Sequence, residues 1–131
     1  MTYAVGQVWT FPETENHPQL IVTIGRIDAA ADLGADPSNS AVLSVSIMPS
    51  EDARKLDWPD VAHAPIAQSA FNASGAGELV MDEASVPDGF EDGYRSWRAA
   101  LEAGEAGVFT TGPPDAYSAI LQIYADRDGS Q

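Results

Sequence analysis

The chain has 131 residues, with 20 Asp and Glu against six Lys and Arg, for a formal net charge of −14. That length suits one domain with a core needing neither disulfide nor structural metal, and the absence of cysteine excludes disulfides, thiolate metal sites and cysteine nucleophiles. The acidic excess is spread over both halves, which disfavours nucleic-acid phosphates and anionic membranes as partners and favours a basic protein, though acidity also serves solubility.

Residues 1–48 read as a β meander. Met1 to Gln7 lack the basic, apolar and small-residue succession of a signal peptide, and no apolar run is long enough to span a bilayer, so a cytoplasmic location is expected. Tyr3, Val5, Val8, Trp9 and Phe11 form an aromatic and β-branched segment ended by Pro12, and the polar stretch Glu13 to Gln19 follows as a loop. Leu20, Val22 and Ile24 alternate with Ile21, Thr23 and Gly25 in a second strand, and Asp28 to Ser40 form a surface connection. Val42, Ser44 and Ser46 alternate with Leu43, Val45 and Ile47 in a third strand, which places the bulkier set on one face before Pro49. No connection here has the amphipathic length of a crossover helix, so the pairing is expected to be antiparallel.

Residues 49–87 are irregular. Pro49 to Pro65 read as a long loop anchored by Leu56, Trp58 and Val61. Pro65 suits the first position of a short helix with Ile66, Ala67, Ala70 and Phe71 as its buried stripe, broken by Gly75 and Gly77. Within Glu78 to Ala84, Leu79, Val80 and Met81 fit a short strand or an extended arm.

Residues 88–125 read as helical. Asp88 and Glu91 have capping-box spacing, and Phe90, Tyr94, Trp97 and Leu101 share one face. Gly104 lies where a left-handed C-terminal residue is wanted, and Glu91 and Arg95 are spaced for a surface ion pair. After an extended link from Val108 to Thr111, Pro113 and Pro114 open a last helix with Tyr117, Ile120, Leu121 and Tyr124 as its stripe, and Asp126 to Gln131 form a frayed tail. The expected fold is α+β in one domain: an antiparallel sheet of three to five strands, partly rolled, with the two C-terminal helices covering one face and one short middle helix.

Chemistry-bearing residues are sparse. His17 and His63 are the only imidazoles. His17 reads as a solvated loop residue, and His63, near Asp57 and Asp60, lacks the converging ligands of a metal site. Carboxylate pairs such as Glu13 with Glu15, Glu51 with Asp52 and Asp82 with Glu83 are too frequent to be diagnostic, and no nucleophile elbow, phosphate-binding loop or EF-hand occurs. No catalytic residue, metal or cofactor is assigned, and the leaning is against an enzyme. Arg95 and Arg98 share a helix and are read as tying down neighbouring carboxylates. Trp58, between Asp57 and Pro59, is the tryptophan placed for an exposed anchor.

The run Gly93-Tyr94-Arg95-Ser96-Trp97-Arg98, followed by Gly104-Glu105-Ala106-Gly107-Val108-Phe109-Thr110, resembles a pattern found in small uncharacterised bacterial proteins. The likeness extends to Val5-Gly6-Gln7-Val8-Trp9 and His63-Ala64-Pro65-Ile66, and it implies that the Tyr94 to Thr110 segment defines the fold without bringing an activity. Function is therefore expected from charge: a non-enzymatic acidic protein that docks a basic partner, as an immunity protein or antitoxin would, through Trp58, Asp52, Asp57 and Asp60. Two alternatives stand beside it. One is a small-molecule binder or enzyme with His63, Arg95 and Arg98 in a pocket between sheet and helices, and the other is a homo-oligomeric structural module.

Overall fold

The computed structural model describes residues 3–15, 17–29, 41–56, 58–74 and 77–129. Five strands, β1 (Val8–Phe11), β2 (Leu20–Ala29), β3 (Ala41–Pro49), β4 (Val61–Ala67) and β5 (Glu78–Met81), form one open antiparallel sheet in the order β4-β3-β2-β1-β5. Four helices accompany it: α1 (Glu51–Arg54), α2 (Gln68–Ser74), α3 (Phe90–Glu102) and α4 (Pro113–Gly129). The fold is thus α+β, with two C-terminal helices and a short middle one. No helix among the described residues is long and apolar enough to cross a membrane.

The longest pairing joins β2 to β3, from Leu20 opposite Pro49 to Ala29 opposite Ala41. Six consecutive β3 residues, Val42 to Ile47, are buried, so both faces of this strand are covered. Leu43, Val45 and Ile47 pack with Phe11, Leu20, Val22 and Ile24 beneath Phe71 of α2 and Ala116, Tyr117 and Ile120 of α4. On the opposite face Val42 packs with Phe90, Tyr94 and Trp97 of α3, and Leu101 closes the same cluster. The C-terminal helices therefore lie on opposite faces of the sheet instead of sharing one. The smaller set of the alternation is also covered: Ser44 and Ser46 are buried, and their small side chains admit α3 close to the strand.

The stretch Val61–Ala67 is a strand, where a loop and the start of a helix were expected. Pro65 is tolerated there because its carbonyl faces away from β3 and accepts the Phe109 amide at 2.9 Å. Its missing N–H, on that same outward side, removes no bond to β3. The Ala67 amide donates back to the Phe109 carbonyl at 2.9 Å, so the link before α4 seals this edge of the sheet. The helix begins only at Gln68, leaving Ala70 and Phe71 on α2 while Ile66 and Ala67 are buried from the strand.

The start of α3 also departs from expectation. Gly89, at φ 93°, occupies the N-cap without a side-chain cap, so Asp88 and Glu91 form no capping box. Glu91 and Asp92 still place negative charge in the first turn, where the helix dipole favours it. Arg95 pairs with Asp92 at 3.7 Å on the exposed side. The C-terminus is as expected: Gly104, at φ 76°, donates to the Leu101 carbonyl and Glu105 donates to that of Ala100, which together make a Schellman ending.

The last helix continues to Gly129, since no glycine or proline interrupts it earlier, and Asp126 to Gly129 are helical where a frayed tail was expected. Asp28 and Ala29, expected in the surface connection, pair with β3 as the end of β2; the connection itself (30–40), Gly75 and the Tyr124 side chain lie outside what is described.

Trp97 is buried and donates from Nε1 to the Gly107 carbonyl at 2.9 Å. Trp97→Ala should cost about 3 to 5 kcal/mol in urea unfolding. A loss below about 0.5 kcal/mol would mean that α3 presents another face to the sheet.

Candidate functional site

The β2–β3 register that sets Leu20 opposite Pro49 also brings two separate loops together at one end of the sheet. One follows β1, where Pro12 ends the strand, and the Thr14 amide donates to the His17 carbonyl at 2.9 Å to fold the chain back. His17 is buried here, not solvated, and its Nδ1 donates to the Pro18 carbonyl at 2.7 Å. The second loop leaves β3, and its Ser50 amide donates to the Gln19 carbonyl at 2.9 Å, tying the two together. After the single turn of α1, the amides of Leu56 and Trp58 both donate to the Ala53 carbonyl.

Between these loops lies a groove of about 520 Å3 lined by Glu13, Glu15, His17, Asp52, Leu56 and Trp58 among others. Trp58 is half-buried, its ring stacked on Tyr117 of α4 with centroids 6.3 Å apart and planes at 28°. The Tyr117 hydroxyl donates to the Pro59 carbonyl at 2.8 Å, so the segment carrying the indole is held at both of these points. Leu56 is the opposite case: it is 75% exposed at the groove rim. The lining combines the apolar Leu56 and Trp58 with three carboxylates, a set suited to a cationic group attached to an apolar stem.

Of the four residues expected to meet a partner, Asp52 and Trp58 line this groove. Asp60 is engaged by Arg54 in an exposed ion pair of 2.5 Å. Asp57 lies outside the described residues. Glu13, Glu15 and His17 join the lining without having been singled out for it. Their sequence signal is an acidic loop bracketed by Pro12 and Pro18, and it gains meaning only once the register supplies the opposite wall.

His63, Arg95 and Arg98 are distributed differently. His63 projects from β4 into the underside of α3, with its ring 5.6 Å from that of Phe90, 5.7 Å from Tyr94 and 5.4 Å from Trp97. Its Nε2 is buried without a hydrogen-bond partner among the described residues, and burial lowers the imidazole pKa to about 4. Arg98 donates to the Tyr94 hydroxyl at 2.9 Å and approaches Asp28 at 3.7 Å and Glu102 at 3.8 Å. The Tyr94 hydroxyl in turn donates to Asp28 at 2.8 Å, while the Arg26 guanidinium lies 4.6 Å above the Tyr94 ring. Arg95 points outward to Asp92. His63 thus packs on the Tyr94 ring from β4 and Arg98 bonds the Tyr94 hydroxyl beside Asp28 of β2, so these contacts fasten α3 to both strands, and Arg95 is outside them.

No family model matches the chain, and no curated protein or solved structure matches it significantly.

The position of His63 has a consequence for stability. An unfolded imidazole takes its proton near pH 6.5, whereas the folded one waits until about pH 4. Between those values the unfolded chain holds more protons, so the contribution of neutral His63 is complete above about pH 6.5 and is lost as pH falls to about 4. The loss is at most roughly 3 kcal/mol, reduced by the ring's partial exposure. Urea midpoints measured across this window should fall less steeply in His63→Phe than in the wild type. Equal slopes would show that the ring titrates freely in the fold.

Proposed function

We propose that this protein is a binding module that docks a basic segment of a partner protein in the groove beside Trp58. The observation that carries this reading is the groove's lining, which brings Glu13, Glu15 and Asp52 together with Leu56 and the Trp58 indole. A volume of about 520 Å3 accommodates one or two side chains, such as an arginine or lysine whose stem lies on Trp58 and whose charge meets the carboxylates. Trp58 is clamped by Tyr117 before any partner arrives, so little ordering entropy is lost there on docking.

The net charge of −14 extends this local chemistry to long range, since complementary potential accelerates encounter and repels acidic competitors. A nuclease neutralised by an immunity protein or antitoxin is a partner of this kind, because its phosphate-binding surface is basic and the groove carboxylates take the place of phosphate charge. The same net charge opposes self-association, which weighs against a homo-oligomeric module.

The test is to capture the partner from host lysate, identify it by mass spectrometry, and follow association with the purified proteins at rising salt. The association rate should fall by about tenfold between low and moderate ionic strength. Leu56→Ser, at an exposed site that leaves folding intact, and Asp52→Asn should each weaken binding by about 1 kcal/mol or more. A rate indifferent to salt, together with unchanged affinity in both variants, would refute the reading.

A further inference from the structure

The two edges of the sheet are treated differently. At β4 the outer backbone groups of Pro65 and Ala67 are bonded to Phe109. At the other edge β5 is the terminal strand, attached to β1 alone within the sheet, and all four of its side chains are exposed. Leu79, Val80 and Met81 are 41%, 53% and 55% exposed, and Val5 is 58% exposed on the turn next to them. That turn is fixed beside the end of β5 because the Ala84 amide donates to the Gly6 carbonyl at 2.8 Å. Four of the six large exposed hydrophobic residues among the described residues therefore gather at this edge. Such clustering is unlike the scattered apolar exposure of an ordinary surface.

The patch is bounded by charge of one sign. Glu78, Asp82 and Glu83 are exposed at its two ends, and the chain contains no lysine or arginine between Lys55 and Arg95. A second copy of this chain paired antiparallel on β5 would bring Glu78 towards Asp82 and Glu83 of its mate. Like charges facing each other across paired strands are destabilising. An unpaired strand edge recognises an extended segment through main-chain bonds, and the side chains beside it set which segment is accepted.

We infer that the β5 edge is a second docking surface, one that takes an extended segment of a partner protein in which apolar residues alternate with lysine or arginine. The apolar residues cover Leu79, Val80, Met81 and Val5, and the cations meet Glu78, Asp82 and Glu83. The bulge in the β1–β5 pairing, which leaves Val80 without an opposite residue, confines regular pairing to a short stretch and makes side-chain chemistry the main source of selectivity. The inference rests on the reading of the partner as basic, but it concerns a surface that does not include the Trp58 groove.

The experiment is a titration of the full-length 15N-labelled protein with two extended peptides of equal length, one alternating valine with lysine and the other valine with glutamate. The lysine peptide should shift the amides of Leu79 to Glu83 and Val5, while the glutamate peptide should leave them unmoved. Val80→Lys and Met81→Lys, both at exposed positions, should weaken the β5 response by about tenfold, whereas Ile123→Ser, at an exposed position of α4, should leave it unchanged. Equal shifts with both peptides, shifts confined to residues 12–19 and 50–58, or no shifts at all would overturn the inference. So would self-association of the free protein through β5, seen by sedimentation. If the β5 response holds while groove variants bind the captured partner normally, the groove reading fails and the edge stands; the reverse pattern removes the edge alone.

Discussion

Burial of β3 on both faces is the constraint from which the rest of the architecture follows. A strand with Val42 to Ile47 removed from water needs a layer above it and a layer below it, and α3 and α4 supply one each. The two layers are built differently. The α4 side is conventional, with Leu43, Val45 and Ile47 against Tyr117 and Ile120. The α3 side joins a ridge of large aromatic rings to a sheet surface of small residues. A β-carbon at Gly25 would come within 2.4 Å of the Phe90 ring, and one at Gly93 within 2.8 Å of His63 Cβ, so both glycines are needed for the close approach. Ser44 and Ser46 belong to this surface, and their buried hydroxyls, like His63 Nε2, lack a protein partner among the described residues. Aromatic packing must outweigh that polar cost, which makes α3 the layer most sensitive to protonation beneath it.

The same sheet determines where binding chemistry is available. Among the described residues its centre is enclosed and the β4 edge is closed by the link through Phe109, whereas the end where the β1–β2 and β3–α1 loops meet holds a groove and β5 carries no further strand on its outer side. Both are acidic around an apolar centre. The cations nearest to sites of structural importance are already occupied: Arg26 and Arg98 around Asp28, and Arg54 on Asp60. Local pairing thus holds the frame together while Glu13, Glu15, Asp52 and the carboxylates flanking β5 line the two surfaces proposed for a partner.

Legibility in the sequence depended on how regular each signal was. The first three strands show period-two alternation and were readable, as were the aromatic face of α3 and the Schellman glycine at 104. The strand β4 was hidden because Pro65 and His63 interrupt its apolar pattern, and a proline reads as a helix start unless its outward orientation is known. The bulkier face of β3 was legible from its alternation, but not that an aromatic helix far along the chain would also cover the face of Val42, Ser44 and Ser46, so both C-terminal helices were expected on one side. In the groove, Trp58 and Asp52 stood out locally, whereas Glu13, Glu15 and His17 belong to a loop that becomes its opposite wall only through the Leu20 to Pro49 pairing. Site residues assembled by register are invisible until the register is known.

The most direct measurement is hydrogen–deuterium exchange of the protein alone and bound to its basic partner. If the sheet end is the principal docking face, amides in residues 12–19 and 50–58 should gain protection while the outer face of α3, including Arg95 and Ser96, exchanges as before. Protection concentrated on α3 with the groove segments unchanged would contradict the account and place recognition on the helical layer.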